Sequence, residues 1–260
     1  MHKFQEKAVL VFFDQLSRDV FRIGLKSPLI CAHARPGQFV MVKATTSGNP
    51  LLRRPFSIHD VREDNLYLLF KVVGKGTELM SQFSREQEVD ILGPLGNSFQ
   101  YREDTAACLV GGGMGIAPFL FFARDLQRRY GAVKKHSILL GARDREELEP
   151  LTGEFQDLGY KVVLATDNGS LGHHGFVSEL VDDQLTPLSR VYVCGPGPLM
   201  AAVAAVCRRR EIPCQVSLEA HMACGMGACL GCTVHSNDGD YRHVCTHGPI
   251  FASSEVQWKL

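Results

Sequence analysis

The chain has 260 residues, 45% hydrophobic and 22% charged, with 28 basic side chains balanced by 28 acidic ones. This composition suits a soluble globular protein with a proper core, and zero formal charge argues against a nucleic-acid partner, which favours a basic excess. The short basic runs Lys134-Lys135 and Arg208-Arg209-Arg210 read as solvated helix faces.

The first apolar stretch, residues 8–13, is too short for a signal-peptide core and reads as a strand. Further β-rich runs at 20–25, 38–43, 66–73 and 88–92, punctuated by Gly and Pro, predict a small antiparallel barrel over residues 1–102. Gly93-Pro94-Leu95-Gly96-Asn97 reads as its turn-rich exit. Between barrel strands lies Leu52-Arg53-Arg54-Pro55-Phe56-Ser57-Ile58. The rigid fork of Arg54 suits a phosphate, and the Ser57 hydroxyl suits the edge of a heterocycle. A surface arginine pair and a turn is the plainer reading. In Lys71-Val72-Val73-Gly74-Lys75-Gly76-Thr77, the glycines, amides and Thr77 hydroxyl also suit a pyrophosphate.

Over residues 103–213 the rhythm changes. Strands at 106–110, 136–141, 161–166 and 190–194 alternate with helices at about 116–130, 145–158, 177–180 and 198–209. This is the pattern of a parallel sheet covered by helices. Residues 106–123 carry no charge and reach the length of a marginal membrane span. Gly111, Gly112, Gly113, Gly115 and Pro118 interrupt the stretch, so a strand, a glycine loop and a buried helix start explain it better. That loop, Gly111 to Pro118, lets backbone approach a pyrophosphate at a helix N-terminus, although it departs from G-x-G-x-x-G and a structural turn remains an alternative. Cys194-Gly195-Pro196-Gly197-Pro198 ends a later strand, where open α/β sheets bind ligands. After the second strand, Asp144, Glu146 and Glu147 suit a free ribose hydroxyl, whereas Arg143 suits a phosphate; the balance leans to NAD. His173-His174 reads as a loop.

The tail, residues 214–260, holds Cys224, Cys229, Cys232 and Cys245. The first three follow C-x4-C-x2-C, the spacing of plant-type [2Fe–2S] centres, and twelve residues separate the last two. Gly225, Gly227 and Gly231 allow the sharp turns that bring thiolates together, and their amides can bond sulfur. A structural zinc or inert thiols are the alternatives; zinc usually takes paired C-x2-C knuckles, and here only Cys229 and Cys232 form one. Five further cysteines, Cys31, Cys108, Cys194, Cys207 and Cys214, are scattered singly, which points to a reducing cytoplasm.

Arg54-Pro55-Phe56-Ser57, the glycine loop and Cys194-Gly195-Pro196 together resemble the ferredoxin–NADP reductase superfamily. The segments 217–232 and 244–251 narrow this to a resemblance to the electron-transfer subunits of NAD-dependent dihydroorotate dehydrogenases, over essentially the whole chain. The resemblance implies three parts: an FAD-binding antiparallel barrel, an α/β NAD-binding domain and a small C-terminal [2Fe–2S] module. It assigns flavin contacts to Arg54, Pro55, Phe56 and Ser57, to Leu69, Phe70 and Lys71, and to Gly76 and Thr77. It places Cys194 near flavin and nicotinamide, as a catalytic candidate; the plainer reading is a small buried strand residue. It also implies NAD⁺ as acceptor and a separate FMN-bearing catalytic subunit, two copies of each forming a heterotetramer, with no nucleic acid and no membrane. No acid–base constellation for dihydroorotate itself is evident. Phe56 and His247 depart from the pattern, where an aliphatic and an acidic residue are expected. Two other readings stay open: the reductase component of an oxygenase, and a non-catalytic zinc or redox sensor on a reductase scaffold.

Overall fold

The computed structural model describes residues 2–131 and 135–258, so Lys134 of the basic run lies outside the described residues. Strands β1 (Phe4–Gln15), β2 (Val20–Lys26), β3 (Phe39–Val42), β4 (Arg54–Arg62), β5 (Asn65–Lys71) and β6 (Glu88–Leu95) close a six-stranded antiparallel barrel in the order β1-β2-β5-β4-β3-β6. Leu10, Ile23, Leu25, Val40, Val42, Ile58, Leu68, Phe70 and Ile91 fill its core. Two short helices, α1 (Pro28–His33) and α2 (Lys75–Met80), add Ile30 and Met80 to that core.

Two expectations need correction here. The segment Arg54 to Ile58 is not a connection but the first half of β4. Paired charges and a proline hide its alternation. Likewise Gly93-Pro94-Leu95 is not an exit turn, because β6 continues to Leu95. A side chain at Gly93 would strike Val40, so glycine there lets β6 press against β3 where their register slips.

The second part is a seven-stranded sheet. Six of its strands, β7 (Ala106–Gly112), β8 (Ser137–Ala142), β9 (Lys161–Thr166), β10 (His173–His174), β11 (Ser189–Cys194) and β12 (Cys214–Ser217), are parallel in the order β10-β9-β8-β7-β11-β12. Helix α3 (Phe119–Tyr130) follows β7 through a 3-10 turn, Gly113–Ile116. It starts three residues later than expected, just after Pro118, a residue that suits a helix start and not its interior. The expected helix over 145–158 is broken into α4 (Arg145–Leu148), a 3-10 turn at Glu149–Leu151 and α5 (Gly153–Asp157), since Pro150 cannot donate to the ladder. Residues 177–180 form a 3-10 turn, and α6 (Gly197–Arg209) matches its expected position. His173-His174 is an edge strand, not a loop, and His173 Nε2 stands 2.7 Å from Glu179 Oε2.

Beyond β12 come a hairpin of β13 (Thr233–His235) and β14 (Tyr241–His243), helix α7 (Val244–His247) and β15 (Ile250–Ala252). Strand β15 returns antiparallel onto β12, so the terminal segment is sewn into the sheet at both ends. The expected boundary at residue 214 therefore falls inside the sheet: β12 pairs Cys214 to Ser217 with Val191 to Cys194. One apolar cluster joins the sheet to Phe39, Met41 and Leu95 of the barrel and to Cys232, Val244 and Cys245 of the terminal segment. Among the described residues no helix is long and apolar enough to cross a membrane.

Polar contacts also fix the barrel to the sheet. Glu154 of α5 bonds Arg22 of β2 and Arg62 of β4, and lies 3.5 Å from Arg124 of α3. Asp60, fully buried on β4, holds Arg62 at 2.7 Å and Arg124 at 2.9 Å. Burial alone would raise the Glu154 carboxyl, but Arg22, Arg62 and His59 outweigh it and hold it below the ordinary carboxylate range.

Candidate functional site

Where the barrel meets the sheet lies a cleft of about 530 Å³, within the roughly 300–1,000 Å³ of small-molecule sites. One wall collects Pro55, Phe56, Ser57, Leu69, Phe70, Lys71 and Thr77, all expected from sequence. Met114 and Ala117 come from the glycine turn, and Ser217 to Met222 with Pro249 from the terminal segment. Phe39 completes the lining from β3.

Arg54 and Gly76 stand beside this wall as a pair. A side chain at Gly76 would meet the Arg54 guanidinium at 2.9 Å, so glycine gives the arginine its place. The neighbouring Arg53 is neutralised by Asp90 at 2.7 Å. Arg54 instead bonds only the carbonyls of Leu52 and Arg53, at 2.7 and 3.4 Å, and pairs with no carboxylate among the described residues. Neither Arg54 nor Gly76 lines the cleft itself; an unneutralised guanidinium next to the lining residue Pro55 fits a phosphate.

Thr77 serves differently from its expected role. Its hydroxyl accepts from the amides of Val73 and Gly74, at 2.9 and 3.2 Å, and donates to the Gly74 carbonyl at 2.9 Å. It shapes the loop before α2. Lys71 is likewise engaged, 2.9 Å from Glu147 and 3.4 Å from Asp19. Burial raises the Glu147 carboxyl, but Lys71 and Arg143 lower it further, and it stays ionised. Of the groups weighed for ribose recognition, Asp144 caps α4 by accepting from the Glu147 amide at 3.0 Å. Arg143 is spent on Glu147 at 3.2 Å, which leaves Glu146 exposed.

The glycine loop is first a packing joint. Side chains at Gly111 and Gly112 would strike Ile116 and Leu199, and one at Gly115 would strike the backbone of Cys194 and Gly195. Two glycine-rich strand ends thus lie directly against each other. Only Gly113, at φ 54°, faces open space. None of the four lines the cleft, and neither does Cys194. That cysteine is 1% exposed, with its backbone between Gly111 and Ser217. Burial and the charge of Glu219 push its thiol up to about 12, so it is protonated at neutral pH.

In the terminal segment the four expected cysteines form two pairs. The Cys229 amide bonds Cys224 Sγ, and the Cys245 amide bonds Cys232 Sγ. Amides point at the sulfurs: Met226 and Cys229 at Cys224 Sγ (3.5 and 3.4 Å), Gly231 at Cys229 Sγ (3.5 Å), and Cys245 at Cys232 Sγ (3.4 Å). Burial would raise the Cys224 thiol, but these amides hold it down at about 6. Among the described residues no three such side chains gather tightly enough for a single metal ion. Two thiol pairs held by amide donors instead suit a centre of two irons, each taking two sulfurs. Gly225 and Gly227 take the left-handed turns expected of them, at φ 72° and 93°. The third such turn falls on Leu230, φ 56°, and not on Gly231.

Residues 219–257 match the family model for the iron–sulfur cluster binding domain of dihydroorotate dehydrogenase B, and residues 109–205 match that for an oxidoreductase NAD-binding domain. A protein of Desulforamulus reducens named "Dihydroorotate dehydrogenase B (NAD(+)), electron transfer subunit" is 37% identical over 264 residues, covering 98% of each chain. A protein of the same name from Caldanaerobacter subterraneus is 39% identical, covering 85% of this chain and 86% of its own. The chain belongs to the dihydroorotate dehydrogenase B electron transfer subunit family. Among solved structures, an NADH-dependent reduced ferredoxin-NADP oxidoreductase superposes with a TM-score of 0.87 at 30% identity, covering 97% of this chain and 90% of that one. A ferredoxin reductase of carbazole 1,9a-dioxygenase, at 22% identity and TM-score 0.68 over 82% and 68% of the two chains, shares the fold.

Sequence reasoning gave Phe39 no role, and it read Ser217 to Met222 only as part of the segment that carries the family resemblance, not as cleft lining. Glu219 is exposed into the cleft, and the neighbouring walls remove enough water to raise its carboxyl above the ordinary range. A usable signal existed: Glu219 stands just past the carboxyl end of a parallel strand, where such sheets bind ligands.

Proposed function

We propose that this chain is the electron-transfer subunit of an NAD-dependent dihydroorotate dehydrogenase, carrying electrons from a catalytic subunit to NAD⁺ in pyrimidine biosynthesis. One observation carries the reading: the segment Ser217 to Met222 lines the cleft, and Cys224, two residues on, is the first cluster cysteine. The wall of one cofactor site is thus the lead-in to the other.

Arg54 would offer its charge to a flavin pyrophosphate, Ser57, Leu69 and Phe70 would help hold its ring system, and Gly76 and Thr77 shape the nearby α2 loop. Cys224 and Cys229 would hold one iron, Cys232 and Cys245 the other. Gly113 gives the nicotinamide nucleotide an open approach over packed Gly111, Gly112 and Gly115. Cys194 backs Ser217 as a neutral thiol. When bound, the flavin couples single-electron delivery from the cluster to hydride transfer with NAD⁺.

The partner is an FMN-bearing catalytic subunit, in a heterotetramer of two copies of each, in the cytoplasm. Its docking edge is the cluster loop, where Cys229 is exposed between Met226 (43%) and Leu230 (56%). Such an apolar rim suits a protein interface. Cys229→Ser tests the order of carriers: cluster absorbance and dihydroorotate-dependent NAD⁺ reduction are lost, while NADH–dye activity through the flavin persists. Full dihydroorotate-to-NAD⁺ activity in that variant contradicts it.

A further inference from the structure

Strand β4 carries Arg54 to Ser57 and then slips register with β5 between Ile58 and Asp60. A bulge of this kind re-aims a side chain. The residue at the slip is His59, 5% exposed, and its ring faces the sheet domain. Its Nδ1 stands 2.8 Å from the carbonyl oxygen of Ala117. A carbonyl only accepts, so Nδ1 carries the proton. Nε2 lies 4.0 Å from Glu154, itself held by Arg22, Arg62 and Arg124. Burial outweighs the Ala117 bond, Glu154 and Asp60 and keeps the imidazole neutral.

Ala117 closes the glycine turn, its amide donating to the Met114 carbonyl at 3.0 Å. Met114 and Ala117 line the cleft, and Ser57, two residues before His59, lines the opposite wall. One side chain thus ties the barrel wall to the glycine-turn wall. In the proposed function, hydride crosses between those walls. Reacting atoms about 3–3.5 Å apart are needed for transfer, and a misplacement of about 1 Å costs around 100-fold.

We propose that His59 is a positioning residue whose Nδ1–H bond to Ala117 sets the spacing of the two cleft walls, and with it the approach of nicotinamide to flavin. This rests on the functional reading above. His59 does not line the cleft and acts through Ala117, which does. A histidine that merely fills its site would support the fold without governing the transfer step.

The test uses the full chain loaded with flavin and cluster, as wild type, His59→Leu and His59→Asn; the asparagine amide can donate from about the position of Nδ1. Single-turnover reduction by NADH gives a saturating rate and a half-saturation concentration. Amide hydrogen exchange over residues 113–117 is read on the flavin-free chain. The leucine variant slows the saturating rate at least about tenfold, moves half-saturation less than about threefold, and speeds exchange at 113–117. The asparagine variant restores both the rate and the protection. A leucine variant with the wild-type rate, or with unchanged protection at 113–117, overturns the proposal, as does an asparagine variant as slow as leucine. Should the leucine variant fail to hold flavin, the exchange reading and the asparagine variant decide. A wild-type chain that holds flavin but is not reduced by NADH overturns the functional reading instead, and exchange still judges the bond.

Discussion

Replacing Glu154 by Gln removes the charge at the centre of the barrel–sheet joint. Arg22, 19% exposed in its side chain, then keeps only Asp14 at 3.5 Å, and Arg124, 33% exposed, keeps Asp60 at 2.9 Å. Removing one partner of a fully buried pair costs about 3–5 kcal/mol. Glu154 is 28% exposed and Arg62 is 42% exposed, so solvent offsets part of that loss. We expect a cost of about 2–3 kcal/mol. That lowers the unfolding midpoint at neutral pH by roughly 4–12 °C for a chain of this size. The pH dependence gives a second reading. The folded carboxyl is held below its ordinary value, so its contribution is complete above an unfolded pKa of about 4.3 and is lost as pH falls through the lower folded value. The gap between wild type and Glu154→Gln should therefore narrow below about pH 4. Thermal unfolding followed by circular dichroism at several pH values measures both. A variant within about 1 °C of wild type at neutral pH, or a gap that widens in acid, refutes the reasoning.

The glycine loop predicts a contrast between two alanines. Gly115→Ala drives a methyl group into the backbone of Cys194 and Gly195, and should cost about 1–3 kcal/mol or more and weaken NADH binding. Gly113→Ala meets open space and strains only a left-handed backbone, so about 1 kcal/mol is expected. Thermal unfolding with an NADH titration ranks the two, and equal losses would contradict the packing role. Cys194, its thiol pushed up to about 12, should resist iodoacetamide at pH 8 in the folded protein and react only on unfolding. Mass spectrometry of the native chain reads this, and rapid labelling would show a thiolate that the structure denies.

The cysteine spacing and the barrel-then-βαβ rhythm were legible because both are local: four thiols within a short loop, and strands with their own turns. Strand β4 was not legible, since Arg54, Pro55, His59 and Asp60 interrupt its apolar period. Strands β12 and β15 were masked for another reason. Each is three or four residues long, and their pairing depends on a chain that leaves the sheet at Ser217 and returns at Ile250. Thr77 and Lys71 line the cleft, but spacing cannot reveal that their polar atoms are already bonded to Gly74 and to Glu147. His59 carried no motif at all; its meaning comes from a bulge that only the strand register displays.

The most direct test is reconstitution of the loaded chain with a dihydroorotate-oxidising FMN subunit under anaerobic conditions. NADH formation is then followed after addition of dihydroorotate and NAD⁺. The account predicts NADH production that requires both proteins and disappears with Cys229→Ser. A catalytic subunit that reduces NAD⁺ equally well without this chain, or a flavin- and iron-replete pair that forms no NADH, would contradict it.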